Sequence, residues 1–232
     1  MTPNSFTDAS IVSTYRAFLV KNTSGSNALL PENFVRSGQS RGVTSLASNE
    51  YFEPQTVENF WKRKKIQHKN GHFGFTITRY GDGTFNVLYT ATAKATALRE
   101  VARWVKQERE EHSALNRSAP IKLGLYDVAL HVSSHLDLTE PKPIDVRLVH
   151  PDDYEFTQDL AANNKREYPV FFAPSARDRL GICVPSFEKA SGKQGDLAQT
   201  FILYYDAASE EFITDIDGQK TVIDIHDVYS EC

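Results

Sequence analysis

Three residues of this 232-residue chain stand out for the chemistry they can carry: Arg79, Tyr89 and Glu100. All three fall within Gly74 to Trp104, GFTITRYGDGTFNVLYTATAKATALREVARW. Ala93, Ala97 and Trp104 share a stripe with Glu100 at helical spacing, which sets its carboxylate among small and aromatic groups. A carboxylate in such surroundings needs a partner. Arg79 or Tyr89, across a short hairpin, is expected to supply it. The plainer alternative is a half-exposed helix residue in a surface ion pair. Arg99 and Arg103 adjoin Glu100 in sequence and are expected to point elsewhere. Ser175, which follows an apolar run and Pro174, is a further polar candidate. Its plain alternative is a turn former or a helix N-cap.

These residues need elements to hold them. Phe73, Phe75 and Ile77, then Val87 and Tyr89, alternate with smaller or polar residues, the period-2 pattern of two strands. Tyr80-Gly81-Asp82-Gly83-Thr84 lies between, with glycines able to take positive φ. From Ala93 the period changes, and Leu98, Val101, Ala102 and Val105 recur as on one side of a helix. The unit therefore reads strand, turn, strand, helix. Arg79 ends the first strand, Tyr89 lies on the second, and Glu100 lies in the helix.

Elsewhere, residues 1–12 read as a polar lead-in, and Tyr15 to Val20 as a first strand carrying Arg16. Residues 21–72 read as loop-rich or inserted, apart from a short helix over Val57 to Ile66 with a basic end at Lys62 to Lys65. Leu123 to Val132 alternates as a strand, followed by Leu136 to Thr139. Asp152 to Asn163 reads as a helix, with Leu160 and Ala161 inward. Tyr168 to Phe172 is an apolar β run broken by Pro174. Gly181–Phe187, Thr200–Tyr205, Glu211–Ile216 and Thr221–Ile225 complete the strands. A single domain over 1–232 of the α+β class is expected, a strand-rich core of packed β-sheets flanked by a few helices.

Composition narrows the function. A net charge of −4 argues against a protein that binds nucleic acid by itself. Two cysteines make no disulfide framework, and Cys183 in the run Gly181-Ile182-Cys183-Val184 reads as a buried thiol. None of the seven histidines has zinc-ligand spacing with cysteine, so no metal is expected. GxGxxG, GxxxxGK[ST] and HExxH do not occur. The first residues lack a basic region followed by a long apolar stretch, and no apolar run approaches membrane-spanning length. A soluble cytoplasmic protein with no membrane partner is the expectation.

Asn86-Val87-Leu88-Tyr89-Thr90-Ala91 followed by Thr96-Ala97-Leu98-Arg99-Glu100-Val101 resembles a motif of the RES-domain family, a strand ending in LY-x-A that leads into a helix with T-A-L-x-E-V. The family is named for an arginine, a glutamate and a serine. Arg79 fits the first, Glu100 the second, and Ser175 in Ala173-Pro174-Ser175-Ala176-Arg177 the third. Leu136-Asp137-Leu138-Thr139 is similar to the DLT that often precedes the serine region, and Tyr15-Arg16 echoes an early arginine. The similarity spans about residues 75 to 190. It departs from the family in having Ile77-Thr78-Arg79-Tyr80-Gly81 where Gly-Gly-Arg is usual, and Arg36 and Arg41 compete for the arginine role.

The resemblance implies an ADP-ribosyltransferase-like fold and a toxin that consumes NAD, held in check by an antitoxin or immunity protein. It assigns Glu100 to the positive ribose that forms as the nicotinamide–ribose bond breaks, or to a ribose hydroxyl. Arg79 would hold the pyrophosphate by its fork, and Tyr89 the nicotinamide ring. Ser175 would orient the amide or a ribose hydroxyl, with Arg16 and Arg177 adding phosphate contacts. Hydrolysis or phosphorolysis of NAD is the leading expectation. Mono-ADP-ribosylation of a protein and a non-catalytic interaction domain are the alternatives.

Overall fold

The computed structural model describes residues 10–19, 60–61, 65–67, 73–111, 121–140, 142–188, 192–206, 211–216 and 219–223. Arg36 and Arg41, with most of the 21–72 segment, lie outside the described residues.

The strands are β1 (Ser10–Leu19), β2 (Ile66–Gln67), β3 (Phe73–Gly74), β4 (Leu88–Ala91), β5 (Ile121–Val132), β6 (His135–Asp137), β7 (Val170–Pro174), β8 (Ile182–Ser186), β9 (Gly192–Asp206), β10 (Glu211–Ile216) and β11 (Gln219–Ile223). The helices are α1 (Lys94–Glu111) and α2 (Glu155–Asn164), with one 3-10 turn at Val146–Leu148. The α+β class holds. Among the described residues the strands form a nine-stranded sheet, β11-β10-β9-β5-β1-β4-β8-β7-β6, and a small pair β2-β3. Strand twist of about 20–25° per neighbour turns so long a sheet through a wide arc. Irregular pairing between β5 and β9 around Tyr126 adds to that bend. The sheet thereby lines more than one core.

Three apolar clusters result. The first lies under α1, where Ala97, Leu98 and Ala102 meet Leu123 and Leu125 of β5, Phe201 and Leu203 of β9, Phe212 and Ile223. The second joins Tyr80 and Val87 to Leu136, Leu148, Ala161 of α2 and Phe171 of β7. The third, with Phe60, Leu88, Val128, Leu130, Val170 and Val184, draws on strand positions that alternate with those of the other two.

Several boundaries move from their sequence-based positions. β1 begins at Ser10, inside the expected polar lead-in, because Ser10, Ile11 and Val12 pair with Val132, His131 and Leu130. Backbone pairing with a long neighbour carries a strand through residues whose side chains give no strand signal. The predicted strand through Phe75 and Ile77 does not form: β3 stops at Gly74, and only the isolated bridge Thr78–Gly81 follows. Phe73 is 67% exposed and Ile77 53%, so that alternation marks no buried face. Phe60 and Trp61 are helical as expected, but Ile66 belongs to a strand paired with Gly74. β7 includes Pro174 as its last residue, paired with Ile182.

Candidate active site

The first and second cores meet where β4 runs into α1. β4 lies between β1 and β8, and Ala91 pairs with Cys183. Both residues therefore face the side that α1 covers. α1 is rich in alanine, arginine and glutamate, good helix formers, and buries its Ala97–Leu98–Ala102 stripe. Glu100, on the next turn, is left half-buried at the border of the two cores.

Ser175 Oγ donates to Glu100 Oε1 at 2.6 Å, and Cys183 Sγ approaches the same oxygen at 3.4 Å. The expected partner was Arg79 or Tyr89, and the structure corrects this. The connection from β7 to β8 folds back over the helix, so the partners come from residues far along the chain. Burial pushes the Cys183 thiol well above its ordinary value, and the neighbouring Glu100 charge adds to this. The thiol therefore stays protonated and can donate.

The loop that carries Ser175 is closed on itself. Ser175 N donates to Gly181 O at 2.9 Å, and Gly181 N to Asp178 O at 2.8 Å. Arg177 N donates to Ser175 Oγ at 3.1 Å, leaving that hydroxyl's own proton for Glu100. Asp178 ties the loop to α1, accepting from Thr96 Oγ1 at 2.6 Å and pairing with Arg99 at 2.7 Å. A Cβ at position 181 would stand 2.6 Å from both Asp178 Cβ and Thr96 Oγ1, which is why glycine occupies this contact.

Arg177 is only 6% exposed. Burial lowers its pKa, the Glu100 carboxylate opposes that shift, and Arg103 and Arg79 reinforce it. Arg79, Arg103 and Arg177 thus share one electrostatic neighbourhood with Glu100. Arg103 lies three positions after Glu100 on α1.

On the other bank, the backbone from Phe75 to Val87 is an irregular loop that other elements fasten. Tyr89 Oη accepts from Tyr80 N at 2.7 Å and lies 3.3 Å from Thr78 Oγ1. Burial raises the pKa of both Tyr80 and Tyr89, so each is a neutral phenol. Gly83 takes φ 91, the left-handed turn expected there. α2 holds the loop through Thr157 Oγ1 to Arg79 O and Gln158 Nε2 to Thr78 O at 2.9 Å. Arg79 Nη1 donates to His150 O at 2.6 Å and Leu148 O at 3.3 Å, and its guanidinium lies 4.7 Å from the Tyr154 ring centre.

The expected residues are therefore gathered unequally. Glu100 and Ser175 are bonded directly, Arg177 is joined to them through Ser175, and Arg79 stands within electrostatic reach. Tyr89 braces the loop that carries Arg79. Arg16 packs over Phe60 at 4.9 Å and donates from Nη1 to the Tyr89 carbonyl at 2.9 Å. Sequence reading missed Arg103, whose spacing from Glu100 would have revealed it. It also missed Cys183 and Asp178 as members of the site, for which only the strand register gives a signal. Among the described residues, no cluster of three or more His, Cys, Asp and Glu is gathered as metal ligands would be. No described helix is long and apolar enough to cross a membrane.

The domain is strand-rich and of the α+β class, and its buried Ser175 meets the half-buried Glu100. The RES-domain family model covers residues 58–206, more than half of the chain, and spans Arg79, Tyr89, Glu100, Ser175 and Arg177. The chain belongs to the RES-domain family, which is associated with toxin–antitoxin systems and with NAD. No curated protein matches it.

Proposed function

We propose that this protein is a toxin that cleaves the nicotinamide–ribose bond of NAD, on an ADP-ribosyltransferase-like fold. The observation that carries the reading is the 2.6 Å bond from Ser175 to Glu100, set beside Arg177 and within the field of Arg79. Ser175 and Cys183 both engage Oε1. The carboxylate is thereby fixed, and Oε2 is the oxygen it can offer to a ligand.

The C1′–N bond breaks with its electron pair passing to the pyridinium nitrogen, so nicotinamide leaves as a neutral molecule. The ribose carbon is left with oxocarbenium character, which the Glu100 carboxylate stabilises from a fixed position. Water then forms the new C1′–O bond and releases a proton, giving nicotinamide, ADP-ribose and H⁺. If phosphate is the acceptor, the new bond runs to a phosphate oxygen. Arg79 and Arg177 meet the dinucleotide's negative charge. Glu100, Arg79 and Ser175 are the catalytic set in this reading, with Tyr89, Arg16 and Arg177 on the binding side and no metal required.

NAD is abundant in the cytoplasm, and a cell that makes such an enzyme needs a protein partner, an antitoxin or immunity protein, to restrain it. Induced expression without that partner should arrest bacterial growth as total NAD falls within minutes. Arrest with NAD unchanged and newly ADP-ribosylated protein would replace the reading with a transferase. Normal growth with intact NAD, from protein shown to be folded and free of partners, would leave an interaction domain.

A further inference from the structure

Arg79 serves the function proposed above only if its guanidinium is held in one place. Its seat is the short segment before α2, His150-Pro151-Asp152-Asp153. Proline in second place pre-sets φ for a tight turn, and the chain bends at Pro151 and Asp152. In the ordinary form of such a turn, the carbonyl of the first residue accepts the N–H of the fourth. Here Asp153 N donates to His150 Nδ1 at 2.8 Å, and Asp152 N to the same nitrogen at 3.3 Å. The imidazole ring closes the turn in place of the carbonyl. His150 O is left for another donor, and Arg79 Nη1 takes it at 2.6 Å. Tyr154 completes the seat: its Oη donates to Pro151 O at 2.9 Å, and the Arg79 guanidinium lies 4.7 Å from the centre of its ring. Asp153 Oδ1 accepts from Glu155 N at 3.0 Å, which joins the turn to α2.

We infer that the His150 side chain is a positioning residue for Arg79: by taking Asp153 N onto Nδ1, it frees its own carbonyl to hold the guanidinium. Two N–H donors on Nδ1 require that nitrogen to be unprotonated, with the ring proton on Nε2. Nδ1 of a histidine stands where Oδ1 of an asparagine would, one bond beyond Cγ, so an imidazole here rebuilds an Asx turn. Without the ring, Asp153 N turns back to the carbonyl of residue 150 and shares it with Arg79. A charge-assisted bond is then weakened and its direction shifts. Loosening Arg79 in this way weakens NAD binding and leaves the chemistry at Glu100 alone. The link from Arg79 to NAD rests on the proposed function, whereas the seating of Arg79 by His150 does not.

The test compares the purified wild type with His150→Ala and His150→Asn. His150 is exposed, so neither change disturbs a core. In steady-state NAD cleavage, His150→Ala should raise KM about tenfold, the weakening of one charge-assisted bond, with kcat within about twofold of the wild type. His150→Asn should restore KM, because Oδ1 accepts from the same N–H groups. A general loosening of the fold would lower kcat as well and would not be rescued by asparagine. NMR of the Arg79 guanidinium nitrogens, assigned by their loss in Arg79→Lys, reads the seat in the absence of NAD. Rotation of the guanidinium should be slow in the wild type and His150→Asn, and fast in His150→Ala. Equal KM in the wild type and His150→Ala would overturn the inference, as would a raised KM that asparagine does not rescue. The two readings fail separately. A protein that leaves NAD intact refutes the cleavage reaction, and the Arg79 signals still decide the seat. NAD cleavage with Arg79 signals unchanged by His150→Ala refutes only the seat.

Discussion

The two banks of the candidate site are held by different means. On the Glu100 bank, side chains bond to side chains: Ser175 and Cys183 to Glu100, Thr96 and Arg99 to Asp178. On the Arg79 bank, side chains mostly grip backbone: Tyr89 holds Tyr80 N, Thr157 holds Arg79 O, Gln158 holds Thr78 O, and Arg79 itself holds two carbonyls. The first arrangement fixes the position of one carboxylate oxygen. The second fixes the course of a loop whose own backbone bonds are few, among them Phe75 N to Gly83 O and the Thr78–Gly81 pair. Substitutions on the first bank should therefore act on the reaction, and those on the second on the loop and on binding.

The largest effect is expected from Glu100→Gln. Glutamine keeps an oxygen to accept from Ser175 and Cys183 but removes the charge, so NAD turnover should fall roughly 10²–10³-fold while the fold persists. Turnover rates alongside thermal melts will check this, and a folded variant with wild-type turnover would break the distinction between the banks. Ser175→Ala comes next. It leaves Oε1 held by Cys183 alone and Arg177 N without its acceptor in a buried site, so turnover should drop by about tenfold and stability by about 1–3 kcal/mol. Denaturant titration and steady-state kinetics measure the two effects separately.

Gly181→Ala sharpens the comparison without touching a candidate catalytic group. Its added methyl collides with Asp178 and Thr96, and relief by shifting the Ser175 loop should cost about 1–3 kcal/mol. Activity should fall with it, because the loop delivers Ser175 to Glu100. A variant destabilised by that amount but fully active would show that loop position and activity are independent.

The smallest effect concerns the Arg79 bank. Tyr89→Phe removes the acceptor for Tyr80 N and should cost about 1 kcal/mol, weakening NAD binding more than turnover. It should also alter the response to alkali. Tyr80 and Tyr89 both have folded-state pKa values raised above 10.0. The unfolded phenols lose their protons first, so this contribution to stability is full below pH 10 and is lost as pH climbs above it. Melting curves of Tyr89→Phe should decline less steeply there than those of the wild type.

The same contrast explains what the sequence made legible. α1 carries its signal in a 3.6-residue period that the structure keeps, with Leu98 and Ala102 buried where the period puts them. β5 and β10 are likewise readable from alternation over their own length. Phe75 and Ile77 show a similar alternation, but among the described residues neither is paired in a sheet, and the segment is a loop. Local pattern cannot reveal whether a neighbour exists. The meeting of Glu100 with Ser175 and Cys183 depends on β4 pairing with β8, a register between residues distant in sequence. Family resemblance pointed to Glu100 and Ser175 as site residues without saying that they touch. It was silent on Arg103, which helix geometry alone places beside Glu100.

The most direct test of the account is to incubate purified protein with NAD, with and without inorganic phosphate, and to identify every product by mass. The account predicts free nicotinamide in both reactions, ADP-ribose without phosphate, and none of these products from Glu100→Gln at the same protein concentration and time. Intact NAD in both wild-type reactions, from protein shown to be folded and free of partners, would contradict it. So would equal nicotinamide release by the wild type and Glu100→Gln.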